Sequence, residues 1–108
     1  MNPDSKQKRI AFGYNRGPCN QIEIYEGQAA TIKLIYMQYL DGQSISAIKE
    51  LLETIGVPSP LNKSTWGKQA IANILSNPHY VGSDIYPQLI SQEDFDKVQE
   101  IKKSKQTK

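Results

Sequence analysis

Apolar residues between Ser44 and Leu75 recur every three or four positions in two short runs, separated by a segment rich in glycine, proline and serine. The first run has the spacing of a helix that buries one stripe of its surface. Ser44 suits the N-cap of this helix, and Gly56 suits the left-handed position just after its last turn. We therefore predict an amphipathic helix over residues 44–55. Its buried stripe consists of Ile45, Ile48, Leu52 and Ile55.

The second run predicts a helix from Gly67 to Ser76. Glutamine and asparagine side chains can make paired hydrogen bonds to adenine, and lysine can reach the acceptors of guanine. Two such helices joined by a turn indicate a helix-turn-helix; an ordinary helical hairpin with a hydrated polar face is the alternative. The apolar face holds Ala70, Ile71, Ile74 and Leu75. The outward face holds Lys68, Gln69, Ala72, Asn73 and Ser76.

The first turn of the second helix carries Lys68 and no acidic residue. Acidic side chains normally favour this place, because the exposed amide groups at a helix start carry partial positive charge. Without an acid the helix start stays positive, which suits a phosphate group.

Alternation of apolar and polar residues predicts a β-hairpin from Arg9 to Tyr25, with its turn at residues 17–20. A helix is predicted from Glu26 until Asp41 and Gly42. Tyr36 and Tyr39 are expected in the core with their hydroxyls at its rim. The apolar face of this helix consists of Ala29, Ile32, Ile35, Tyr36, Tyr39 and Leu40.

Trp66 precedes the second helix of the central pair and is expected to wedge the turn against the core. Residues 80–86 are predicted to be extended. Ser91 is predicted to cap a last helix. Its apolar stripe is Phe95, Val98 and Ile101, followed by Lys102, Lys103, Lys105 and Lys108. These lysines form either a solvated, frayed helix end or a phosphate-binding tail. The pattern predicts an α+β, mostly α, fold in which a helix-turn-helix-like core lies between an N-terminal hairpin and a C-terminal helix.

The chain has 108 residues, of which 38% are apolar, and this length suits a single domain. We predict a linker or tail at 1–8, the domain at 9–101 and a basic tail at 102–108. The net charge of +2 is mild for a nucleic-acid binder, so weak affinity is expected for this piece alone. Positive charge concentrates at both ends, around an acidic centre.

Several kinds of chemistry find no support in the sequence. A single cysteine, Cys19, excludes an internal disulfide and a cysteine-based zinc site, and no Ser-His-Asp set is proposed around the single histidine, His79. We therefore expect no metal, no cofactor and no catalytic activity from this chain alone. No apolar run approaches about 20 residues, so we expect a soluble, intracellular protein without membrane contact.

The order and spacing of several segments resemble the recombinase domain of large serine recombinases, which include phage integrases and mobile-element transposases. The resemblance extends from about residue 9 to residue 101. The segments are Phe12-Gly13-Tyr14, Tyr39-Leu40-Asp41-Gly42, Ser44-Ile45-Ser46-Ala47-Ile48, Gly56-Val57-Pro58-Ser59-Pro60, Trp66, Ile74-Leu75-Ser76-Asn77-Pro78-His79-Tyr80-Val81-Gly82 and Leu89-Ile90-Ser91-Gln92-Glu93-Asp94-Phe95.

The resemblance implies a module that binds double-stranded DNA at attachment sites. In such proteins a catalytic domain with the serine nucleophile precedes the module and a zinc ribbon follows it; we expect both to be absent here and to be partners of this domain in its parent. It also implies a bacterial or phage-encoded cytoplasmic protein, with weak self-association. A helical protein-interaction module without DNA binding is the alternative.

Carried onto this sequence, the resemblance assigns two groups of DNA-contacting residues, and helical periodicity adds a third. Those beside the minor groove are Lys6, Lys8 and Arg9. Those at phosphates are Arg16, Lys63 and Ser64. Those facing bases, by helical periodicity, are Lys68, Gln69 and Asn73.

Overall fold

The computed structural model describes residues 11–19, 21–60 and 63–106. The fold is α+β and mostly helical, which confirms the predicted class. The elements in chain order are β1 (Tyr14–Arg16), β2 (Ile22–Ile24), α1 (Glu26–Leu40), α2 (Ile45–Ile55), α3 (Lys68–Leu75), a 3-10 turn (Pro78–Val81) and α4 (Gln92–Gln106).

The hairpin is shorter than its sequence pattern predicts. β1 and β2 are antiparallel, and Tyr14 is the partner of Ile24. Residues 12 and 13 form a turn rather than a strand, and Gly13 has a φ of 106°. The turn brings the carbonyl of Phe12 to the hydroxyl of Tyr80, which donates to it at 2.7 Å. The predicted alternation is therefore wrong before Tyr14, and residues 9 and 10 lie outside the described residues.

Helix α1 lies at the centre of the helical part and packs against α2, α3 and α4. Its predicted bounds are confirmed, and Ile32, Ile35 and Tyr36 are almost completely buried. The sequence predicts the Tyr36 hydroxyl at the rim of the core, and this prediction is wrong. The hydroxyl donates a buried hydrogen bond of 2.8 Å to the carbonyl of Ile74, so it joins the centre of the core to the last turn of α3.

Helix α2 begins and ends as predicted. The Ser44 hydroxyl accepts a hydrogen bond from the amide of Ala47 at 3.1 Å, and Gly56 takes the left-handed conformation with a φ of 82°. The prediction that Ile55 is buried is wrong, because this residue is 54% exposed. The chain leaves the helix at Gly56, and Val57 packs against the core instead.

Trp66 is a wedge at the turn before α3, as predicted. Its side chain is 1% exposed, and its indole N–H donates to the carbonyl of Val57 at 2.8 Å. The ring of Phe12 meets it edge-on, with centroids 6.1 Å apart. Trp66 therefore fixes the chain where it enters α3.

The segment after α3 is not extended. Pro78 begins the 3-10 turn, and the Asn77 side chain accepts a hydrogen bond from the amide of His79, which favours a turn over a strand. Helix α4 then starts at the predicted cap, where the Ser91 hydroxyl accepts from the amide of Asp94 at 3.1 Å. It continues to Gln106, so Lys102, Lys103 and Lys105 are part of the helix.

Candidate nucleic-acid interface

The outward face of α3 is polar and accessible. Lys68, Gln69 and Asn73 are all exposed, while Ile71 and Leu75 on the opposite face are fully buried. Ala72 lies between the polar side chains and is half-buried, and its small size lets another surface approach the helix closely. The division into inward and outward faces is the one that the 3.6-residue period predicts.

Gln69 and Asn73 form a hydrogen-bonded pair one helical turn apart. The Gln69 amide donates to the Asn73 carbonyl oxygen at 2.9 Å. Adenine offers an acceptor and a donor in the major groove, so one amide can satisfy both. The pairing leaves Gln69 Oε1 and Asn73 Nδ2 available to a ligand, so the two side chains present one acceptor and one donor together. Sequence reasoning treated them as separate, although the i, i+4 spacing is a sign of such a pair.

No side chain caps the start of α3. Gly67 occupies the N-cap, and the first turn contains no acid. The first amide groups of a helix have no partner within the helix, and they attract negative charge. Lys68 adds a full positive charge at the same place. The start of α3 therefore keeps the positive character predicted from its sequence.

Lys63 and Ser64 are exposed in the segment that enters α3. The Ser59 hydroxyl accepts from the Lys63 amide at 3.1 Å, and the Lys63 carbonyl accepts from the Ser59 amide at 2.9 Å. This pair of bonds holds the backbone of Lys63 while leaving its side chain in solvent. These two of the three predicted phosphate contacts thus lie a few residues before the polar face of α3.

Glu53 connects α2 to this segment. Its carboxylate accepts from the Lys49 ammonium and from the backbone amide of Trp66, both at 2.7 Å. The hydrogen bond from Lys49, followed by the one from the Trp66 amide, lowers the pKa of Glu53 from its ordinary value. The carboxylate is therefore ionised at neutral pH, and it holds the entry to α3 against α2.

One of the remaining predicted contacts lies in the hairpin. Arg16 is exposed at the end of β1, in the hairpin, and not on the helical pair. Lys6, Lys8 and Arg9 lie outside the described residues. The structure therefore brings together five of the predicted residues along one stretch of chain. They are Lys63, Ser64, Lys68, Gln69 and Asn73.

Two of the C-terminal lysines, which the sequence leaves open between a phosphate-binding tail and a solvated helix end, lie beside α3. Lys102 and Lys105 of α4 line the same surface groove as Gln69 and Ala72. The spacing of these lysines in the sequence indicates this position, because they follow the buried Val98 by four and seven residues. That spacing continues the inward stripe of α4 and directs both side chains toward the body of the protein rather than away from it.

Other chemistry is sparse in the described part of the chain. No group of three or more His, Cys, Asp or Glu side chains within it is arranged to hold a metal ion. His79 is exposed, with its ring 4.5 Å from that of Tyr86, and Cys19 is an exposed free thiol. None of the described helices combines the length and the apolar character needed to cross a membrane.

Comparison with known proteins gives a family and several similar solved structures, two of which follow. The Recombinase family model matches residues 26–105. A crystal structure of an LSR–DNA complex is 26% identical, with a TM-score of 0.70, over 95% of this chain and 33% of that one. A structure concerned with the sequence requirements of the Listeria innocua prophage attP site is 25% identical, with a TM-score of 0.69, over 95% of this chain and 45% of that one.

The chain thus spans about a third of the first of these proteins and less than half of the second. No curated protein sequence matches it.

Proposed function

Since the chain belongs to the Recombinase family, the recombinase domain of large serine recombinases, we propose that it binds duplex DNA at attachment sites as the central module of such an enzyme. The observation that carries the proposal is the outward face of α3. Lys68, Gln69 and Asn73 are exposed together on a helix whose other face is buried. The major groove is about 12 Å wide and admits an α-helix in this orientation.

Each side chain of this face has a distinct role in the proposal. The Gln69–Asn73 pair contacts base edges through the free acceptor and donor that its internal hydrogen bond leaves. Lys68 reaches guanine acceptors or a phosphate next to the helix start. Phosphate contacts by Lys63, Ser64 and Arg16 set the position of α3 on the duplex without selecting a sequence. Lys6, Lys8 and Arg9 are proposed to follow the minor groove.

The two solved structures support DNA as the partner. One contains DNA bound to a large serine recombinase, and the other concerns a phage attachment site. Both match 95% of this chain. Bond cleavage and rejoining would belong to a separate catalytic domain with its serine nucleophile, and a zinc ribbon would add further DNA contacts. The chain itself would supply placement on the site and not catalysis.

Selection from a pool of random-sequence duplexes tests this proposal. Immobilised protein should enrich a common sequence, and the enriched duplex should bind more tightly than a shuffled duplex of the same length. Gln69→Ala or Asn73→Ala should weaken binding to the enriched duplex by about 1–3 kcal/mol and change binding to shuffled duplex little. Gln92→Ala is the matched control, because Gln92 is an exposed glutamine of α4 whose side chain also donates to a residue one turn on, Asp96, at 2.9 Å.

Two results would contradict the proposal. Equal losses on enriched and shuffled duplexes would assign Gln69 and Asn73 to the DNA backbone instead of the bases. An absence of binding to any duplex at low salt would favour the alternative, a helical protein-interaction module.

A further inference from the structure

A groove beside α3 is formed by parts of all four helices. It has a volume of about 510 Å³ and is open to solvent. Tyr39 of α1 contributes to one side, the first turn of α2 contributes Ser46, and α3 contributes Gln69 and Ala72. Lys102 and Lys105 of α4 complete it. A side chain proposed to contact bases and two cationic side chains from a distant part of the sequence therefore share one groove.

The charge of this groove is positive. Its lining, within the described part of the chain, includes two lysines and no aspartate or glutamate. The first turns of α2 and α3, which border it, contain no acid either. A surface of this kind attracts an anion, and a duplex carries one negative charge for about every 1.7 Å of its axis.

The lysines are held at the groove by the packing of α4. The Gln99 side-chain amide donates to the carbonyl of Leu75 at 2.7 Å, which ties α4 to the end of α3. The ammonium group of Lys105 lies 4.9 Å from the centre of the Tyr39 ring, a cation–π distance that orients this long side chain. The position of α4 on the core therefore determines where both charges lie relative to α3.

We propose that Lys102 and Lys105 each bind one phosphate of the DNA backbone, next to the bases that α3 contacts. The inference rests on the proposed function and extends it, since α4 then becomes part of the DNA-binding surface. With α3 in the major groove, a sugar-phosphate backbone runs along each side of the helix. The groove lies on the side of α3 that faces α4, so it receives one of those backbones and fixes the depth and angle of α3.

The first experiment compares two double variants with the same change of charge. K102Q/K105Q removes the two groove lysines, and K33Q/K97Q removes two exposed lysines outside the groove. Binding to a random-sequence duplex is measured by fluorescence anisotropy across a salt series, because each lost phosphate contact lowers the slope of log affinity against log salt by about 0.9. We expect the slope to become shallower by about 2 for K102Q/K105Q and to stay at the wild-type value for K33Q/K97Q.

The second experiment adds a negative charge without removing a lysine. S46E places a carboxylate in the groove at the first turn of α2, where the helix dipole stabilises an acid, so its thermal midpoint should equal or exceed that of the wild type. It should weaken binding to random and enriched duplexes by the same factor. A30E makes the same charge change at an exposed position near the start of α1, outside the groove lining, and it should leave binding unchanged.

The outcomes separate this inference from the proposed function. Equal loss of slope in both lysine variants, or equal weakening by S46E and A30E, would mean that only net charge matters and would overturn the groove as a contact. A wild-type slope in K102Q/K105Q, with normal sequence selection by α3, would overturn the proposed phosphate contacts in the groove and leave the proposed function standing. A wild-type protein that binds no duplex would remove both proposals together.

Discussion

The buried hydroxyl of Tyr36 provides a direct test of how α3 is held. Replacing Tyr36 with phenylalanine removes the 2.8 Å hydrogen bond to the Ile74 carbonyl and keeps the aromatic ring. The ring should continue to meet Tyr80 edge-on, with centroids 6.4 Å apart, so packing changes little. The perturbation is therefore confined to one hydrogen bond between α1 and the last turn of α3.

The size of the effect follows from what the Ile74 carbonyl retains. A typical hydrogen bond contributes about 0.5–1.5 kcal/mol net, and a buried acceptor left without a partner costs about 1–3 kcal/mol. The Ile74 carbonyl keeps a long contact of 3.4 Å with the Asn77 amide, so it does not become completely unpaired. We expect Y36F to lower the free energy of unfolding by about 1–2 kcal/mol.

Urea and thermal unfolding followed by circular dichroism measure this loss. A change of this size should lower the thermal midpoint by roughly 5–10 °C in a domain of about 100 residues. Tyr25→Phe is the matched control, because Tyr25 is 48% exposed and surface substitutions usually change stability by less than about 0.5 kcal/mol. If Y36F is as stable as Y25F, the hydroxyl does not hold α3 to α1 and the reasoning is refuted.

Four further predictions concern salt, pH and backbone conformation. Log affinity for duplex DNA should fall with log salt at a slope of about −4 to −5 if some five phosphates are contacted, and a slope near zero would contradict DNA binding. E53Q should have a lower urea midpoint than the wild type at neutral pH. This difference should vanish as the pH falls through the lowered pKa of Glu53, because the wild-type carboxylate then loses its charge. Burial raises the pKa of Tyr14 from 10.0 to about 12. The stability that the protonated Tyr14 contributes is therefore complete below pH 10 and should be lost as the pH rises toward 12. Tyrosinate absorbance should appear together with unfolding. G13A should cost about 2 kcal/mol or more, because φ is positive there and a Cβ would overlap the Cδ1 of Ile32; an unchanged urea midpoint would show that the turn adapts.

The sequence alone predicted the helices well because their signals are local. Ser44 and Gly56 mark the ends of α2 through bonds to residues only a few positions away, and both are seen. The inward face of α3 follows from a simple period of 3.6 residues. Such features depend on neighbouring residues and not on the rest of the fold.

The features that the sequence did not predict depend on residues far apart in the chain. Tyr36 donates to a carbonyl 38 positions away, and no local pattern distinguishes that partner from water. The turn at Gly13 is stabilised by the Tyr80 hydroxyl, which is 68 positions from Phe12. The inward direction of Lys102 and Lys105 follows from their spacing after Val98. The groove that they line could not be predicted from the sequence, because it forms only where four helices pack together. The assignment of Lys68, Gln69 and Asn73 to bases stays a prediction.

The bond between Gln69 and Asn73 has a consequence for any effort to retarget this domain. Replacing one member removes this hydrogen bond from the other, so under the proposed base contacts each amide would select its base differently once its neighbour is changed. The loss measured for Gln69→Ala or Asn73→Ala would then include the change in the partner amide, and the two losses would not add. Libraries intended to alter the preferred site should randomise the two codons jointly, because useful combinations need not pass through a functional single mutant.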